Sequence, residues 1–502
     1  MFSKVLIANR GEAAVRVIRT CKVLGIKTVA VFSDVDQESL HVKLADESYP
    51  LGPPNPEKSY SNGEKVLVVA KEAAVDAIHP GYGYLSEDPS FASACDEAGV
   101  KFVGPSPRTL EITENKIACR KLARRVGVPT LPGSDEILHD VEEALSLADE
   151  IGYPVILKSA FGGGGRGIRE VTKKSELKDL FARANREAEG TFGKGGLFVE
   201  RLIKPARHIE LQFISDGRGK AVYLAERECS IQRRHQKLLE MTPSPGLEDT
   251  TRKKVGRYAL TIARSIKAEN VGTVEFLMDA DGNFHFIEVN ARLQVEHPIT
   301  EMVCDLDLVE TQFRIASGEG LPYSQSGVAA RGAAIECRIN AEDPASGFTP
   351  STGTVTDLIL PSGPGIRVDT ALYPGCQVTE YYDSLIAKVI SSDRSLEGAR
   401  RRMLLALREF QIGGVKTTIP LHQALITSTP FVRWKLSTDF LERHSIAEEF
   451  AEDETLSSLE SVAIAAALIH AGNHRITQLG EGLPAPPYES PHEEESRSYD
   501  AV

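Results

Sequence analysis

The sequence predicts a mixed α/β and α+β fold with a doubly wound N-terminal domain, a central domain and a mixed C-terminal domain. Three observations carry this prediction. Strand and helix patterns alternate over roughly the first 115 residues, which is typical of a parallel sheet. Two alternating apolar runs flank Asp281-Gly282, a dipeptide that favours a tight β-hairpin. Beyond Pro322, short strand patterns separated by Pro and Gly lead into a helix.

The composition is that of an ordinary globular protein and restricts the classes of function. The 502 residues allow two to four domains of about 150 residues each. The net charge of −13 disfavours nucleic-acid and anionic-membrane binding, and no apolar run approaches the roughly 18 residues of a membrane span. Seven scattered cysteines favour a reducing compartment over zinc or disulfides. Because a strand begins at Lys4, we expect no signal peptide and a cytoplasmic protein.

The N-terminal part reads as alternating strands and helices. Strands are predicted over residues 4–8, 28–32, 77–79 and 100–103, with helices up to Gly25, over 90–97 and over 107–126. The turn at residues 9–12 and the loop at 80–87 follow two of the strands, where open parallel sheets bind ligands. No GxGxxG follows the first strand, which argues against a dinucleotide site.

A glycine-rich segment marks the second part, which is predicted to begin near Val128. A strand delivers Lys158 and is followed by four consecutive glycines, whose backbone N–H groups can close over phosphate oxygens. The segment is not a P-loop, and glycine runs elsewhere are often flexible linkers. Its place between a buried strand and residues 168–170 favours an ordered, mobile lid.

Two further segments favour a small polyanion as ligand. Residues 207–213 alternate, with His208, Glu210 and Gln212 predicted on the face opposite the core. Residues 226–237 are dense in anion donors, and the acidic total favours the lining of a small site over a nucleic-acid patch. The edge at residues 197–203 could contact an adenine amino group.

The hairpin at residues 271–289 carries the strongest local argument. With Asp281 and Gly282 as the turn residues, Ala280 faces Asn283 and Glu275 faces Glu288. Opposed like charges are destabilising, so a positive group is expected between the two glutamates.

The side chains that follow on this strand extend the same surface. Glu288, Asn290, Arg292 and Gln294 point the same way if the chain stays extended. Carboxylate and amide oxygens suit Mg²⁺, and Arg292 is placed to bind a small anion beside it. The alternative is a surface hairpin whose acids pair with lysines.

The third part is predicted to be a mixed α+β domain. Residues 332–343 alternate and place Glu336, Arg338 and Asn340 on one face, and a helix is predicted over 396–410. Beyond about residue 445 an acidic, apolar-faced helix either docks a partner or packs on its own domain. The last residues, rich in Pro, Glu and Ser, are predicted to be disordered.

Seven motifs together resemble one family. KVLIANRGE, HPGYGYLSE, PVILKSAFGGGGRG, RHIELQ, CSIQRRHQK, FIEVNARLQVEHPITE and ECRINAED are similar to the biotin carboxylase component of biotin-dependent carboxylases, an ATP-grasp enzyme. The resemblance runs from residue 1 to about 445. It implies an N-terminal domain over 1–115, an ATP-grasp domain over 116–320 with a lid at about 129–203, a C-terminal domain over 321–445 and a tail over 446–502.

The resemblance also implies a set of site residues. ATP contacts fall on Lys116, Lys158, Gly163, Gly164, Gly165, Glu200, Arg201, Leu202, Ile203, His208, Gln232 and His235. Two Mg²⁺ or Mn²⁺ ions fall on Glu275, Glu288 and Asn290. Bicarbonate falls on Lys237, Arg292, Gln294 and the backbone of Val295, with Glu296 as general base and Arg338 stabilising the biotin oxyanion. An alternative for Arg338 is a structural salt bridge with Glu336 or Asp343.

The implied reaction is ATP-dependent carboxylation of biotin by bicarbonate, through carboxyphosphate, in a multi-subunit acyl-CoA carboxylase. None of the five methionines precedes a lysine, so the Met-Lys biotinylation motif is missing and we expect biotin on a separate carrier protein. A homodimer and a carboxyltransferase subunit are the other expected partners, with no nucleic acid and no membrane. The alternatives are a pyruvate carboxylase component, another ATP-grasp carboxylate–amine ligase and a non-catalytic assembly subunit. Met241-Thr242 departs from the acidic and alanine residues that the family often has there.

Overall fold

The structure is a computed structural model that describes residues 1–161, 167–192, 196–446 and 450, with residues 191 and 192 described for the backbone alone. The glycines at 163–165 and almost all of the predicted acidic tail lie outside the described residues. Among the described helices, none combines the length and the apolar character needed to traverse a bilayer.

The N-terminal domain is built on a five-stranded parallel sheet with strand order β3-β2-β1-β4-β5. Side chains on the first strand alternate between two cores, Leu6 in one and Val5 and Ile7 in the other. The sheet is therefore covered on both faces, which confirms the predicted doubly wound fold. Its elements are β1 (Lys4–Ile7), α1 (Gly11–Val23), β2 (Lys27–Ser33), α2 (Leu40–Leu44), β3 (Glu47–Gly52), α3 (Gly63–Glu72), β4 (Ala77–His79), α4 (Pro89–Glu97), β5 (Lys101–Phe102), α5 (Pro107–Glu114) and α6 (Lys116–Arg125).

The helix predicted over residues 107–126 is wrong as a single element, because the chain forms two helices, α5 and α6, on either side of Asn115. The Asn115 backbone is extended, and its side-chain oxygen accepts a hydrogen bond from the Ala118 N–H at 3.0 Å. Asn is a favoured N-cap residue because this bond satisfies a free helical N–H. The break places Lys116 at the start of α6.

A small three-stranded antiparallel sheet follows, with strand order β7-β6-β8. Val155, Leu157 and Val199 pack against its two helices in a core of their own. Its elements are α7 (Val141–Ile151), β6 (Val155–Ser159), β7 (Arg169–Val171), α8 (Lys174–Phe192) and β8 (Leu197–Arg201). We refer to these elements as the lid.

An eight-stranded antiparallel sheet, in the order β13-β12-β9-β10-β11-β14-β21-β19, crosses both the central and the C-terminal parts. Its strands are β9 (Arg207–Asp216), β10 (Ala221–Arg233), β11 (Gln236–Thr242), β12 (Glu269–Met278), β13 (Phe284–Asn290), β14 (Ala333–Asn340), β19 (Ile366–Thr370) and β21 (Leu385–Asp393). On β9, Ile209, Leu211 and Phe213 lie in the core as predicted.

Helices and short strands complete the chain. The helices are α9 (Asp249–Ser265), α10 (His297–Cys304), α11 (Leu308–Ala316), α12 (Leu396–Glu409), α13 (Ile419–Thr427), α14 (Thr429–Val432) and α15 (Phe440–Arg443). The short strands are β15 (Glu342–Asp343), β16 (Thr349–Pro350), β17 (Gly353–Thr354), β18 (Leu358–Ile359), β20 (Gln377–Val378) and β22 (Gln411–Ile412).

The hairpin of β12 and β13 has the predicted pairing where the glutamates lie but not at its turn. Glu275 pairs with Glu288. The predicted pair of Ala280 with Asn283 does not form, because the Asp279 N–H donates to the Asn283 carbonyl at 3.0 Å and encloses a three-residue loop. The two-residue turn is therefore wrong.

A β-bulge restores the predicted register at the glutamate end of this hairpin. Gly282 takes a φ of 81° as the last loop residue, a conformation that glycine adopts without strain. From there Phe276 pairs with Phe286, one residue out of the predicted register. The register shifts before Glu275 and Glu288, leaving Ile287 as the extra residue on β13. The longer loop and the bulge cancel, so the glutamates still face each other.

Candidate active site

A cavity of about 970 Å³ lies where the lid, the eight-stranded sheet and the N-terminal domain meet. Glu200 and Glu296 are buried behind its lining, and the exposed Arg201 guanidinium donates to the Ile151 carbonyl. The predicted site residues that line the cavity are Lys116, Lys158, Leu202, Ile203, His208, Gln232, His235, Lys237, Glu275, Glu288, Asn290, Arg292, Gln294, Val295 and Arg338.

The two opposed glutamates lie on the cavity wall with a positive group beside each one, whereas the hairpin argument predicted a single positive group between them. Lys116 Nζ lies 3.1 Å from Glu288 Oε2, and Lys237 Nζ lies 3.4 Å from Glu275 Oε1. His208 Nε2 lies 2.7 Å from Glu275 Oε2. Burial would raise the Glu275 pKa, but the Lys237 charge and the contact with His208 outweigh it and hold that pKa far below its usual range.

A row of amide and guanidinium groups continues from these acids, although β13 ends at Asn290. Asn290 Nδ2 donates to Glu275 at 2.6 Å, and Arg292 Nη2 donates to the Asn290 amide oxygen at 3.3 Å. Arg292 Nη1 reaches Gln294 Oε1 at 3.2 Å, and Gln294 Nε2 returns to Glu275 Oε1 at 3.1 Å. Arg292 also forms an ion pair of 2.9 Å with Glu87, from the loop after β4. The predicted common face therefore forms.

Lys237 connects acids from two strands, β9 and β12, and from the segment that precedes α10. Its ammonium lies 2.6 Å from Glu210 and 2.7 Å from Glu296, in addition to Glu275. Burial alone would raise the pKa of Glu296, but the Lys237 and Arg338 charges lower it well below its usual range. Glu296 therefore stays ionised at neutral pH, in the form that accepts a proton.

Arg338 bridges Glu240 and Glu296. Its Nε donates to Glu240 Oε1 at 2.6 Å, and its Nη2 donates to Glu296 Oε2 at 3.0 Å. The alternative of a salt bridge with Glu336 or Asp343 is wrong. Asp343 pairs with Lys416 at 2.5 Å.

The lid side of the cavity carries Lys158 on β6, one of the residues predicted to contact ATP. Lys158 Nζ lies 2.6 Å from Glu200 Oε2, and the buried Arg120 guanidinium shares that carboxylate. Gln232 Nε2, on β10, lies 2.6 Å from His208 Nδ1, and the other ring nitrogen of His208 contacts Glu275.

Two buried acids of this site, Glu210 and Glu240, were not among the predicted site residues. Glu210 forms ion pairs with Lys237 and with the fully buried Arg227 guanidinium of β10. The alternation of β9 had placed Glu210 on the polar face, so a signal existed for it. The role of Glu240 depends on the pairing of β11 with β14, which no local pattern reveals.

The donor set fits a hard divalent cation. Asn290 Nδ2 lies 2.6 Å from a Glu275 oxygen and 3.5 Å from a Glu288 oxygen, so two carboxylates and an amide lie side by side on the cavity wall. Mg²⁺ and Mn²⁺ prefer such oxygen ligands. Lys116 and Lys237 would serve as neighbours of the phosphates that accompany such an ion.

A large antiparallel sheet that faces a lid across a cavity of lysines and paired acids defines an ATP-dependent ligase of the ATP-grasp class. Family models match three consecutive segments: "Biotin carboxylase, N-terminal domain" over residues 1–110, "Carbamoyl-phosphate synthase L chain, ATP binding domain" over 115–324 and "Biotin carboxylase C-terminal domain" over 336–443. The chain belongs to the biotin carboxylase family.

Individual relatives agree over most of the chain. It is 48% identical over 452 residues to the 2-oxoglutarate carboxylase small subunit of Hydrogenobacter thermophilus, covering 90% of this chain and 96% of that one. Biotin carboxylase 1 of Bacillus subtilis is 47% identical over 447 residues, which are 89% of this chain and 99% of the relative.

Solved structures agree as well. The Hydrogenobacter thermophilus 2-oxoglutarate carboxylase biotin carboxylase domain dimer, in complex with MgADP, ADP and bicarbonate, is similar with a TM-score of 0.87 at 48% identity, over 89% of this chain and 98% of that one. A biotin carboxylase complex from Campylobacter jejuni has a TM-score of 0.86 at 41% identity, over 88% of this chain and 99% of that one. These structures confirm the predicted fold class.

Proposed function

We propose that this chain carboxylates biotin on a separate carrier protein, with ATP and bicarbonate as the other substrates. The observation that carries the proposal is the position of Glu296. It is buried and ionised between Lys237 at 2.7 Å and Arg338 at 3.0 Å. Lys237 also contacts Glu275 of the opposed pair at 3.4 Å, so the base lies between the proposed bicarbonate contacts and the arginine proposed to serve biotin.

ATP would lie between the lid and the opposed acids. Lys116 and Lys158 are placed to contact its phosphates, and His208, Gln232 and His235 are the neighbouring polar groups of the cavity. The segment from Glu200 to Ile203 would contact the adenine, with the glycines Gly163, Gly164 and Gly165 closing over the phosphates. Glu275, Glu288 and Asn290 would hold Mg²⁺ or Mn²⁺, which supplies charge neutralisation for the phosphate oxygens.

Bicarbonate would bind beside the γ-phosphate. Arg292 and Lys237 supply positive charge, and Gln294 and the backbone of Val295 supply orientation. Glu296 removes the remaining proton, because neutral pH leaves bicarbonate a poor nucleophile. The oxygen then attacks the γ-phosphorus, ADP leaves, and carboxyphosphate forms in a site that excludes water.

Carboxyphosphate breaks down to CO₂ and phosphate. The phosphate takes the ureido proton of biotin, whose nitrogen attacks CO₂. Arg338, fixed from behind by Glu240, stabilises the negative charge that develops on the biotin oxygen.

The partners we propose are a biotin carrier protein and a carboxyltransferase subunit, with a homodimer as the working form. Relatives described as subunits support this, since one is the small subunit of a 2-oxoglutarate carboxylase and another is one of the subunits of the pyruvate carboxylase of Methanothermobacter thermautotrophicus. We propose an acyl-CoA as the final acceptor, with pyruvate as the alternative. Purification of the chain from its native extract, followed by identification of the co-purifying subunits, tests these partners.

Bicarbonate-dependent ATP hydrolysis that free biotin stimulates is the expected activity. A carboxylate–amine ligase would instead require an amine acceptor and show no biotin stimulation. A non-catalytic assembly subunit would bind ATP with Mg²⁺ and turn over neither substrate. Either result would overturn the proposal.

A further inference from the structure

We propose that Lys388 is a positioning residue that holds the segment 292–296, which carries the bicarbonate contacts and the general base. This inference rests on the proposed function. The Lys388 side chain has no solvent exposure, and its ammonium donates to the Val295 carbonyl oxygen at 3.0 Å. Val295 lies between Gln294 and Glu296, so one hydrogen bond fixes the backbone next to both of these residues.

The segment needs such support because it belongs to no helix or strand. It follows β13, which ends at Asn290, and precedes α10, which begins at His297. Groups in irregular backbone keep a catalytic geometry only when the surrounding structure holds them. Small displacements of reacting groups cost large factors in rate.

Lys388 is itself fixed from two other parts of the molecule. Its ammonium lies 3.2 Å from Glu12 Oε2, in the first turn of α1, and 3.4 Å from Tyr82 Oη, in the loop after β4. On its own sheet it pairs directly with Arg338 on β14 and with Asp369 on β19. A buried ammonium is tolerated only when acids and acceptors surround it, which these groups do.

The arrangement ties the bicarbonate segment to both neighbouring domains through one atom. The N-terminal domain contributes Glu12 and Tyr82, and the C-terminal part contributes the strand that carries Lys388. Removing the ammonium would release Val295 and leave Glu12 buried beside an apolar group. The effect would fall on bicarbonate and on proton removal, since Lys116 and Lys158, the proposed phosphate contacts, form their ion pairs with Glu288 and Glu200 instead.

The test compares Lys388→Met with Lys388→Arg in bicarbonate-dependent ATP hydrolysis by the full chain. We expect Lys388→Met to raise the KM for bicarbonate about tenfold and to lower kcat, with the KM for ATP changed by less than about twofold. Lys388→Arg keeps a charged donor and is expected to recover a large part of both losses. Lys65→Met is the matched control, because Lys65 Nζ also donates to two backbone carbonyls, those of Leu51 and Lys58, away from the cavity.

Two results would overturn the inference. One is a folded Lys388→Met enzyme with unchanged kcat and bicarbonate KM. The other is an equal rise in KM for ATP and bicarbonate, which would indicate a general loss of structure. If Lys388→Met does not fold, Glu12→Gln replaces it, and an unchanged bicarbonate KM in that variant likewise rejects the inference. Absence of biotin-stimulated activity in the unaltered chain would reject the proposed function instead.

Discussion

Glu296 combines complete burial with a negative charge, and the reason lies in its two partners. Burial would favour the protonated acid, but Lys237 and Arg338 each form an ion pair with one of its oxygens. The site therefore presents a buried, ionised carboxylate, which suits removal of the remaining proton of bicarbonate.

Replacing Glu296 with Gln should lower bicarbonate-dependent ATP hydrolysis by about 10² to 10⁴-fold, because the amide cannot accept the proton. Binding of ATP with Mg²⁺ should change little, which isothermal titration would measure. Glu150→Gln, at an exposed position of α7, serves as the control. Near-normal turnover in Glu296→Gln would remove the role of general base from this residue.

Arg338→Ala should separate the two halves of the reaction. Biotin carboxylation should fall by about 10²-fold or more, whereas bicarbonate-dependent ATP cleavage without biotin should fall less, because Arg338 serves the biotin oxyanion. The measurement is the ratio of the two rates in the same preparation. Equal losses would contradict the assignment.

Glu288→Ala should abolish turnover, in contrast, in both assays. The substitution removes a carboxylate from the proposed cation site and leaves Lys116 without its partner at 3.1 Å. Titration with Mn²⁺ and detection of the bound ion by electron paramagnetic resonance would measure the loss directly. Unchanged Mn²⁺ affinity would place the cation elsewhere.

Residue types and local spacing predicted the opposed glutamates, their positive neighbours and the row through Gln294. They did not predict that Arg338 would bridge Glu240 and Glu296, because those acids come from elements about 100 and 40 positions away. Sequence periodicity predicts the face of the strand on which a side chain lies. The residues that it contacts there depend on tertiary structure.

At the scale of elements, the β12–β13 hairpin depends on one aspartate at its turn. Asp279 Oδ1 accepts from the backbone N–H groups of Asp281 and Asn283 at 3.0 and 2.9 Å, and its other oxygen lies 2.9 Å from His285 Nε2. These bonds stabilise the three-residue loop that replaces the predicted two-residue turn.

Asp279→Ala should lower the free energy of unfolding by about 1 to 2 kcal/mol, since it leaves two loop N–H groups without their acceptor. Hydrogen exchange at the amides of residues 281 and 283 should accelerate most. Asp281→Ala, an exposed acid in the same loop, is the control. Equal stability of the two variants would show that the loop does not rely on Asp279.

The predicted element boundaries are correct where the end signals in the sequence are strong. They are wrong where two signals favour different structures. The strand at Ala77–His79 and the start of α12 at Leu396 agree with prediction. The split of α5 from α6 was missed because a continuous helical pattern outweighed one internal Asn. The hairpin turn was missed because Asp-Gly also suits a three-residue loop whose last position is glycine.

At the scale of the whole molecule, two buried acids link stability to pH. Glu336 lies directly opposite Glu240 on the neighbouring strand, and neither of its oxygens has a hydrogen-bond partner among the described residues. Burial raises the pKa of Glu336 well above its usual range; the Lys388 charge opposes this rise and the Glu240 charge adds to it. The folded chain therefore holds the Glu336 proton to a higher pH than the unfolded chain does.

The sign of the resulting pH dependence follows from linkage. The unfolded chain releases this proton near pH 4.5, whereas the folded chain keeps it, so the stabilisation is complete below that pH and is lost as pH rises. The loss approaches about 1.4 kcal/mol for each pH unit. Glu336→Gln should remove this dependence, so its melting temperature should improve relative to the unaltered chain as the pH rises above about 5.5.

Thermal unfolding of both proteins across this range measures the difference, with Glu150→Gln as the control for a lost surface charge. Parallel pH profiles for Glu336→Gln and the unaltered chain would mean that Glu336 is ionised in the fold.

Fold class was predictable at this scale because strand and helix alternation is local, whereas the single sheet through the central and C-terminal parts was not. Its joining pairs, from Leu239 with Cys337 to Thr242 with Ala334, connect positions nearly 100 residues apart. Neither the sequence of β11 nor that of β14 indicates that the two strands pair.

That shared sheet also limits how the gene can be rearranged. A chimera that takes its C-terminal third from a relative contains the β14 of that relative. This strand must form all of its backbone hydrogen bonds with the β11 of the present chain. An exchange of the lid disturbs no such ladder among the described residues, because its three strands form a sheet of their own and β8 is joined to Gly133 and Leu138 through isolated bridges. Recombination between relatives should therefore tolerate crossovers on either side of the lid and select against those near residue 320.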